Sequence, residues 1–227
     1  MKLYKFRSFE KIELTLDIIM NERFYCAFHK DLNDPFEGLF SVVECKGKGM
    51  TRPIVQSIAR PIVRPIVTGW SSRTTVFKSL YDFPTLGNGI RVCSFSSAMS
   101  DIRMWSHYAS GHTGCVVEVE LAPNSKLFEV NYGAGLKSFA ENINEKTKAT
   151  DILSFKTDHW KYEKEYRIIT EDEFYSVSKN ITGIYLGMRV KDIHKELVVR
   201  STPKEIPVFE TQIQLESVEI IPNKRIN

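Results

Sequence analysis

The chain has 227 residues, with 31 Lys and Arg against 28 Asp and Glu and a formal charge of +3. At 42% hydrophobic and 26% charged it has the make-up of a globular protein with a sizeable core, which excludes a disordered chain, and its mild basicity is too small to mark nucleic-acid binding by itself. No apolar run approaches the roughly 18 residues of a membrane-spanning helix, and the N-terminus carries Lys2, Lys5 and Arg7 without the apolar stretch of a signal peptide. The expectation is therefore a cytoplasmic protein with no membrane partner. Cys26, Cys45, Cys93 and Cys115 form no CxxC pair, against a zinc knuckle. Cys26, Cys93 and Cys115 lie in apolar runs that read as buried, reduced thiols.

In chain order, Leu3 to Arg7 alternates as a strand, with Lys5 and Arg7 on one face and Tyr4 and Phe6 on the other. Ser8 reads as a helix N-cap, and Phe9, Ile12, Leu16 and Ile19 follow at helical spacing up to Asn21. Arg23 to Phe28 reads as a second strand. Asp34-Pro35-Phe36-Glu37 has the cap, proline and third-position glutamate of a helix start. Arg-Pro-Ile-Val recurs at 52–55, 60–63 and 64–67, and its prolines predict an irregular segment around 50–70 with a basic surface from Arg52, Arg60, Arg64 and Arg73. Ile90 to Ser96 reads as a strand. Ser97 to Ser110 reads as a helix with Ile102, Trp105 and Tyr108 or Ala109 inward and Gly111 as its C-cap. Cys115 to Leu121 is a strand, 137–156 a polar helix, and Glu163–Thr170, Ile181–Met188, Glu196–Ser201 and Ile206–Ile221 further strands. Strands outnumber helices without βαβ alternation, which predicts a single α+β domain over 1–227 with mixed, mostly antiparallel sheets.

Three short stretches could share one active site: Arg7, Ser94-Phe95-Ser96 and Glu163-Lys164-Glu165. Two glutamates two apart on a strand share a face, and carboxylates stabilise the oxocarbenium-like state of glycosidic cleavage. Serine hydroxyls orient such acids and bind ribose. The planar fork of Arg7, with Lys5 on its face, suits a pyrophosphate. Met104-Trp105-Ser106-His107-Tyr108-Ala109 is the most distinctive string. There His107 is a candidate base, phosphate contact or metal ligand, or a core residue with Tyr108, while Trp105 fills the core or contacts substrate. Asn33, Asp34 and Glu37 form a fixed polar loop suited to substrate contacts or to turn formation, and Trp160, Tyr162 and Tyr166 could wall the glutamate pair.

The strings Leu3-Tyr4-Lys5-Phe6-Arg7, Asn33-Asp34-Pro35-Phe36-Glu37, Cys93-Ser94-Phe95-Ser96, Met104 to Ala109 and Trp160 to Arg167 resemble a widespread bacterial and phage family of unknown function, over nearly the whole chain. The layout is also remotely similar to the DNA-targeting ADP-ribosyltransferase toxins, with Ser-Phe-Ser where arginine-serine-glutamate transferases have Ser-Thr-Ser. This second resemblance implies an ADP-ribosyltransferase-like fold and an NAD-dependent transferase of toxin or anti-phage defence. In it Glu165, Glu163 and Ser94 would be catalytic, Arg7, Lys5, Ser96, His107 and Tyr108 would bind NAD, and Asn33, Asp34, Glu37, Trp105 and Arg167 would contact substrate. The acceptor would be protein or nucleic acid, and no metal is expected. Two rival readings are a metal-dependent nuclease or phosphodiesterase using His107, His112, Asp34, Glu37 and Glu163, and a non-catalytic sensor or interaction domain.

Overall fold

The computed structural model describes residues 1–45, 73–83, 89–124, 126–140 and 149–227. The proline-bearing segment expected around 50–70 lies outside them. The strands are β1 (Lys2–Arg7), β2 (Arg23–Tyr25), β3 (Ala27–Phe28), β4 (Leu39–Cys45), β5 (Arg73–Ser79), β6 (Arg91–Ser96), β7 (Cys115–Glu120), β8 (Leu127–Glu129), β9 (Asn131–Gly133), β10 (Ser138–Ala140), β11 (Phe155–Thr157), β12 (Glu165–Thr170), β13 (Phe174–Ser176), β14 (Ile181–Leu186), β15 (Val208–Gln214) and β16 (Glu219–Arg225). Among the described residues the main sheet runs β16-β15-β14-β7-β1-β6-β12-β8, with β3 also paired to β6. Its pairings are antiparallel except β14 with β15. A three-stranded sheet, β10-β4-β5, and two two-stranded ones complete an α+β fold.

Period-two alternation decides what each face of the main sheet packs against. Leu3, Cys93, Phe95, Cys115, Val117, Val119, Ile168 and Ile184 point to one side. There they meet Ile18 and Ile19 of the Ile12–Asn21 helix and Val198 of the Asp192–Ser201 helix. On the other side Phe6 and Val116 pack on Met104 and Trp105 of the Ile102–Tyr108 helix. Val92 and Ile169 pack there on Phe40, Val42, Ile152 and Leu153. Cys26, Cys93 and Cys115 are buried free thiols.

Several elements differ from the sequence expectation. Glu196–Ser201 is not a strand but the end of the Asp192–Ser201 helix. The Val198-Val199 pair suggests a strand, but helix propensity is a weak preference. Here Val198 is fully buried in the core beside the Ile12–Asn21 helix, and His194 packs edge-on against Phe9. Within 137–156, Ser138–Ala140 is a strand paired with β4, Phe139 meets Phe40 at 5.7 Å, and only Ala149–Leu153 is helical among the described residues there. The Asp34 segment makes no helix: Asp34 accepts from the Phe36 and Glu37 amides, and Gly38 at φ +73 turns the chain into β4. Ser8 does not cap the first helix, which begins at Ile12; its hydroxyl accepts from the Glu10 amide. The helix expected over Ser97–Ser110 spans only Ile102–Tyr108, capped by Asp101, which accepts from the Arg103 amide.

The end of β1 is set by a close approach of backbones. A Cβ on Gly114 would stand 2.0 Å from the Arg7 carbonyl oxygen, so only glycine lets the start of β7 lie against Arg7. Gly114→Ala is expected to cost about 1–3 kcal/mol as an overpacked contact, read as a lower urea midpoint. Gly135→Ala, with no heavy atom within 4 Å of its Cβ position, is expected to leave the midpoint within about 0.5 kcal/mol of wild type.

Candidate active site

The sheet is split beside β6. β1 meets β6 at the Tyr4–Ser96 pair, and β3 meets the same strand at Val92 and Arg91. Between these two contacts the strands part. The Ser94 carbonyl, which a continuous ladder would occupy, accepts instead from Lys5 Nζ at 2.8 Å. A cavity of about 310 Å³ fills the opening, lined on one side by Lys5, Arg7 and Tyr25 and on the other by Ser94, Ser96, Glu163, Glu165 and Arg167. The split is what allows Lys5 and Arg7, which alternate toward the opposite sheet face from Ser94 and Ser96, to line the same cavity.

The glutamates meet by a route the sequence does not suggest. Glu163 ends the 3-10 turn Asp158–Glu163, and only Glu165 lies on β12. Lys164 between them is left-handed at φ 45, so strand alternation does not apply across the pair. Both carboxylates instead converge on one ammonium: Lys156 Nζ lies 2.6 Å from Glu163 Oε2 and 2.8 Å from Glu165 Oε2. Ser96 Oγ donates to the Glu163 carbonyl at 2.6 Å, and the Ser97 amide donates to the Lys164 carbonyl at 3.0 Å, fixing this turn onto β6. Among the described residues it is thus Ser96, not Ser94, that holds the glutamate segment, although β12 pairs Arg167 with Ser94. Tyr132 accepts from the Glu165 amide at 2.8 Å.

Arg167 is enclosed by its partners. Its Nε donates to Glu165 Oε1 at 2.8 Å, one terminal nitrogen to Glu37 Oε1 and the Leu153 carbonyl, and the other to Glu37 Oε2 and Glu165 Oε2. Its five donors are all used. Arg167 and Glu37 are therefore positioning groups for Glu165 rather than hands for a substrate. Asp34 is buried and closes its own turn. Trp105, read as a possible substrate contact, has no exposure: its indole N–H donates to the Met99 carbonyl, and its ring meets Phe6 edge-on and stacks on His112. It supports the wall from behind. Asn33 and Tyr108 line the cavity, and Asn33 Nδ2 donates to the Tyr108 hydroxyl, which donates to Glu163 Oε1. His107 is exposed. With Asn33, Tyr108, His159, Trp160 and Tyr162 it lines a neighbouring depression.

The charges do not balance. Glu37, Glu163 and Glu165 face two cations, Lys156 and Arg167, all buried. The surplus falls on Glu163. Its burial, and then the nearby Glu165, raise its pKa above the usual 4.5 although Lys156 opposes them. Burial also works against ionised Glu165, but Arg167 and Lys156 outweigh it and hold this carboxyl well below the usual range. Lys156 stays above its ordinary value because the two glutamates overcome its desolvation. Burial and Glu163 raise the Tyr108 hydroxyl, so it remains a proton donor. The pair is thus split into one carboxyl held ionised and one whose pKa is raised, the division acid–base chemistry uses.

The ligands of the metal reading do not assemble. Glu37 is held by Arg167, His112 stacks on Trp105, and no three His, Cys, Asp or Glu side chains converge as a metal set among the described residues. Lys156 and Tyr132 were not visible as site residues in the sequence: Lys156 falls within the stretch read as polar helix and carries no motif around it. A scan against protein-family models and searches of curated proteins and of solved structures return no match to this chain.

Glu165 is one of the carboxyl groups that tie stability to acid pH. Its folded-state pKa is depressed, so its contribution is full above 4.5 and is lost as pH falls through the folded value. Glu165→Gln is expected to lose about 3–5 kcal/mol at pH 7 by leaving buried cations underpaired. In urea titrations the gap to wild type should narrow as pH drops below 4.5. A gap independent of pH would show that the lost energy is packing and not charge.

Proposed function

We propose that the cleft binds NAD and cleaves its bond from nicotinamide to ribose, passing ADP-ribose to an acceptor, as a mono-ADP-ribosyltransferase-like enzyme. The observation that carries this reading is the split sheet, which sets a cationic pair, Lys5 and Arg7, across one cavity from two glutamates of unequal acidity. A dinucleotide with an anionic middle and a cleavable glycosidic end has that same polarity along its length.

In this reaction the bond between the nicotinamide nitrogen and ribose C1′ breaks, and its electron pair leaves with the ring, which becomes neutral nicotinamide. The ribose keeps the positive charge. Glu165, held ionised by Arg167 and Lys156, stabilises that cation as a prepositioned charge in a buried site. Glu163 accepts the proton that the acceptor loses as its oxygen or nitrogen bonds to C1′, and Tyr108 orients Glu163 for that transfer. Arg7 and Lys5 hold the pyrophosphate. In our reading the acceptor is protein or nucleic acid and the role is in toxin action or anti-phage defence, the latter on motif resemblance.

The test is nicotinamide release from NAD by purified protein, with and without protein and nucleic-acid acceptors. Wild type is expected to turn NAD over. Glu163→Gln is expected to lose about 10²–10⁴-fold in kcat, the range of a general base, with a wild-type melting curve. The wild-type rate should rise with pH through the raised pKa of Glu163, and this limb should vanish in the variant. Undiminished turnover in a folded Glu163→Gln protein, or no NAD turnover by wild type with any acceptor, would overturn the assignment.

A further inference from the structure

A second cavity, of about 520 Å³, lies on the other side of Lys5, Arg7 and Tyr25, and these three side chains form a boundary common to both cavities. Its remaining walls are Leu14, Asp17 and Ile18 of the first helix, Arg23 and Phe24 of β2, and Phe174 of β13. Its composition is that of a ring-binding pocket. Leu14, Ile18 and Phe24 give an apolar floor. Tyr25 is half exposed and meets Phe174 at 5.8 Å in an edge arrangement. The Arg23 guanidinium lies 4.0 Å from the Phe174 ring centre, held there by Asp17 through contacts at 3.2 and 3.0 Å.

The boundary carries a separate signal. Arg7 Nε is shut off from solvent and has no hydrogen-bond partner among the described residues. That buried N–H holds the guanidinium in the wall, and the rest of the Arg7 side chain lines both cavities. Arg7, Lys5 and Arg23 are three cations set against the one carboxylate of Asp17. Phosphate oxygens at the boundary would pair with Lys5 and with the part of the Arg7 guanidinium that lines the cavities, and keep the ring beyond them beside Tyr25, Phe174 and Arg23.

We infer that this cavity is a binding site for a nucleoside 5′-diphosphate, with the base against the half-exposed Tyr25 ring beside the Phe174–Arg23 contact and the diphosphate on Arg7 and Lys5. The inference rests on the NAD reading for its role, since it houses the adenosine arm left over when the glycosidic end lies at the glutamates. It does not rest on that reading for its test. The planar base recruits the aromatic and guanidinium faces, and the phosphates recruit the boundary cations, so the two halves of the ligand can be probed apart.

The experiment is calorimetric titration of the full chain with ADP and, separately, with inorganic pyrophosphate, neither of which has a glycosidic bond to nicotinamide. Wild type is expected to bind both. Tyr25→Ala should weaken ADP about tenfold or more through loss of the stacking face and leave pyrophosphate unchanged. Arg7→Gln should weaken both. Phe36→Ala, at an exposed ring outside this cavity, should weaken neither, and melting curves check that each variant is folded. ADP affinity indifferent to Tyr25→Ala, or no ADP binding by wild type, would overturn the inference. The two readings can fail apart. ADP binding that depends on Tyr25 without any NAD turnover would keep this site and remove the transferase. NAD turnover with ADP binding indifferent to Tyr25 would do the reverse.

Discussion

The Arg167 guanidinium is the interaction on which the rest of the site depends. It lies on β12, yet its five donors reach Glu37 in the turn before β4, the Leu153 carbonyl at the end of a helix and Glu165 on its own strand. Three separate pieces of chain are thereby tied to one buried group. Taking such ions out of water is expensive, and pairing repays it only when the geometry is complete. Here it is complete for Arg167, and the remaining imbalance is passed along Lys156 to Glu163. A residue expected as a substrate contact is the fixed point from which two carboxylates take their positions.

The second constraint is the parting of β1 from β6. A sheet edge left open within a fold normally exposes unpaired backbone groups, and two devices limit this. Lys5 reaches back to the Ser94 carbonyl, and β3 takes up the pairing at Val92. The remaining gap joins the two faces of the sheet at one place. It brings side chains that alternate away from each other, Arg7 and Ser94, to the rim of one cavity. Gly114 lies at the same end of β1, where its missing side chain lets the chain entering β7 come close to Arg7.

Strand alternation and apolar spacing made the central strands legible in the sequence: β1, β6, β7, β12 and β14 stand within two residues of their expected bounds. The two motif serines, the two glutamates and Arg7 line one cavity. What stayed hidden depended on contacts between distant segments. Val198-Val199 reads as strand until the core it covers is known, and Lys156 reads as the end of a polar helix until Glu163 and Glu165 close on it. Arg167 and Glu37 read as substrate contacts because nothing in the sequence reveals that they are each other's partners, 130 residues apart. For Trp105 the sequence leaves both core filling and substrate contact open, and its packing on Phe6 and His112 decides for the core.

The surplus of negative charge bears on the proposed chemistry. In this contact network three carboxyl groups, Glu37, Glu163 and Glu165, meet two cations, Lys156 and Arg167, while Lys5 and Arg7 stand elsewhere on the same cavity. NAD presents its positive charge on the nicotinamide ring before cleavage and on the ribose as the bond breaks. A site that merely attracted the ring would favour substrate and transition state alike and gain nothing in rate. The useful arrangement keeps the anion fixed where the charge arrives. Arg167 and Lys156 do this for Glu165, because a carboxylate anchored by two cations cannot swing to follow the departing ring. Glu163, with the less settled charge and Tyr108 at its other oxygen, is left free for the proton. In this view the cost of burying five charged groups is the means by which two adjacent glutamates are made chemically different.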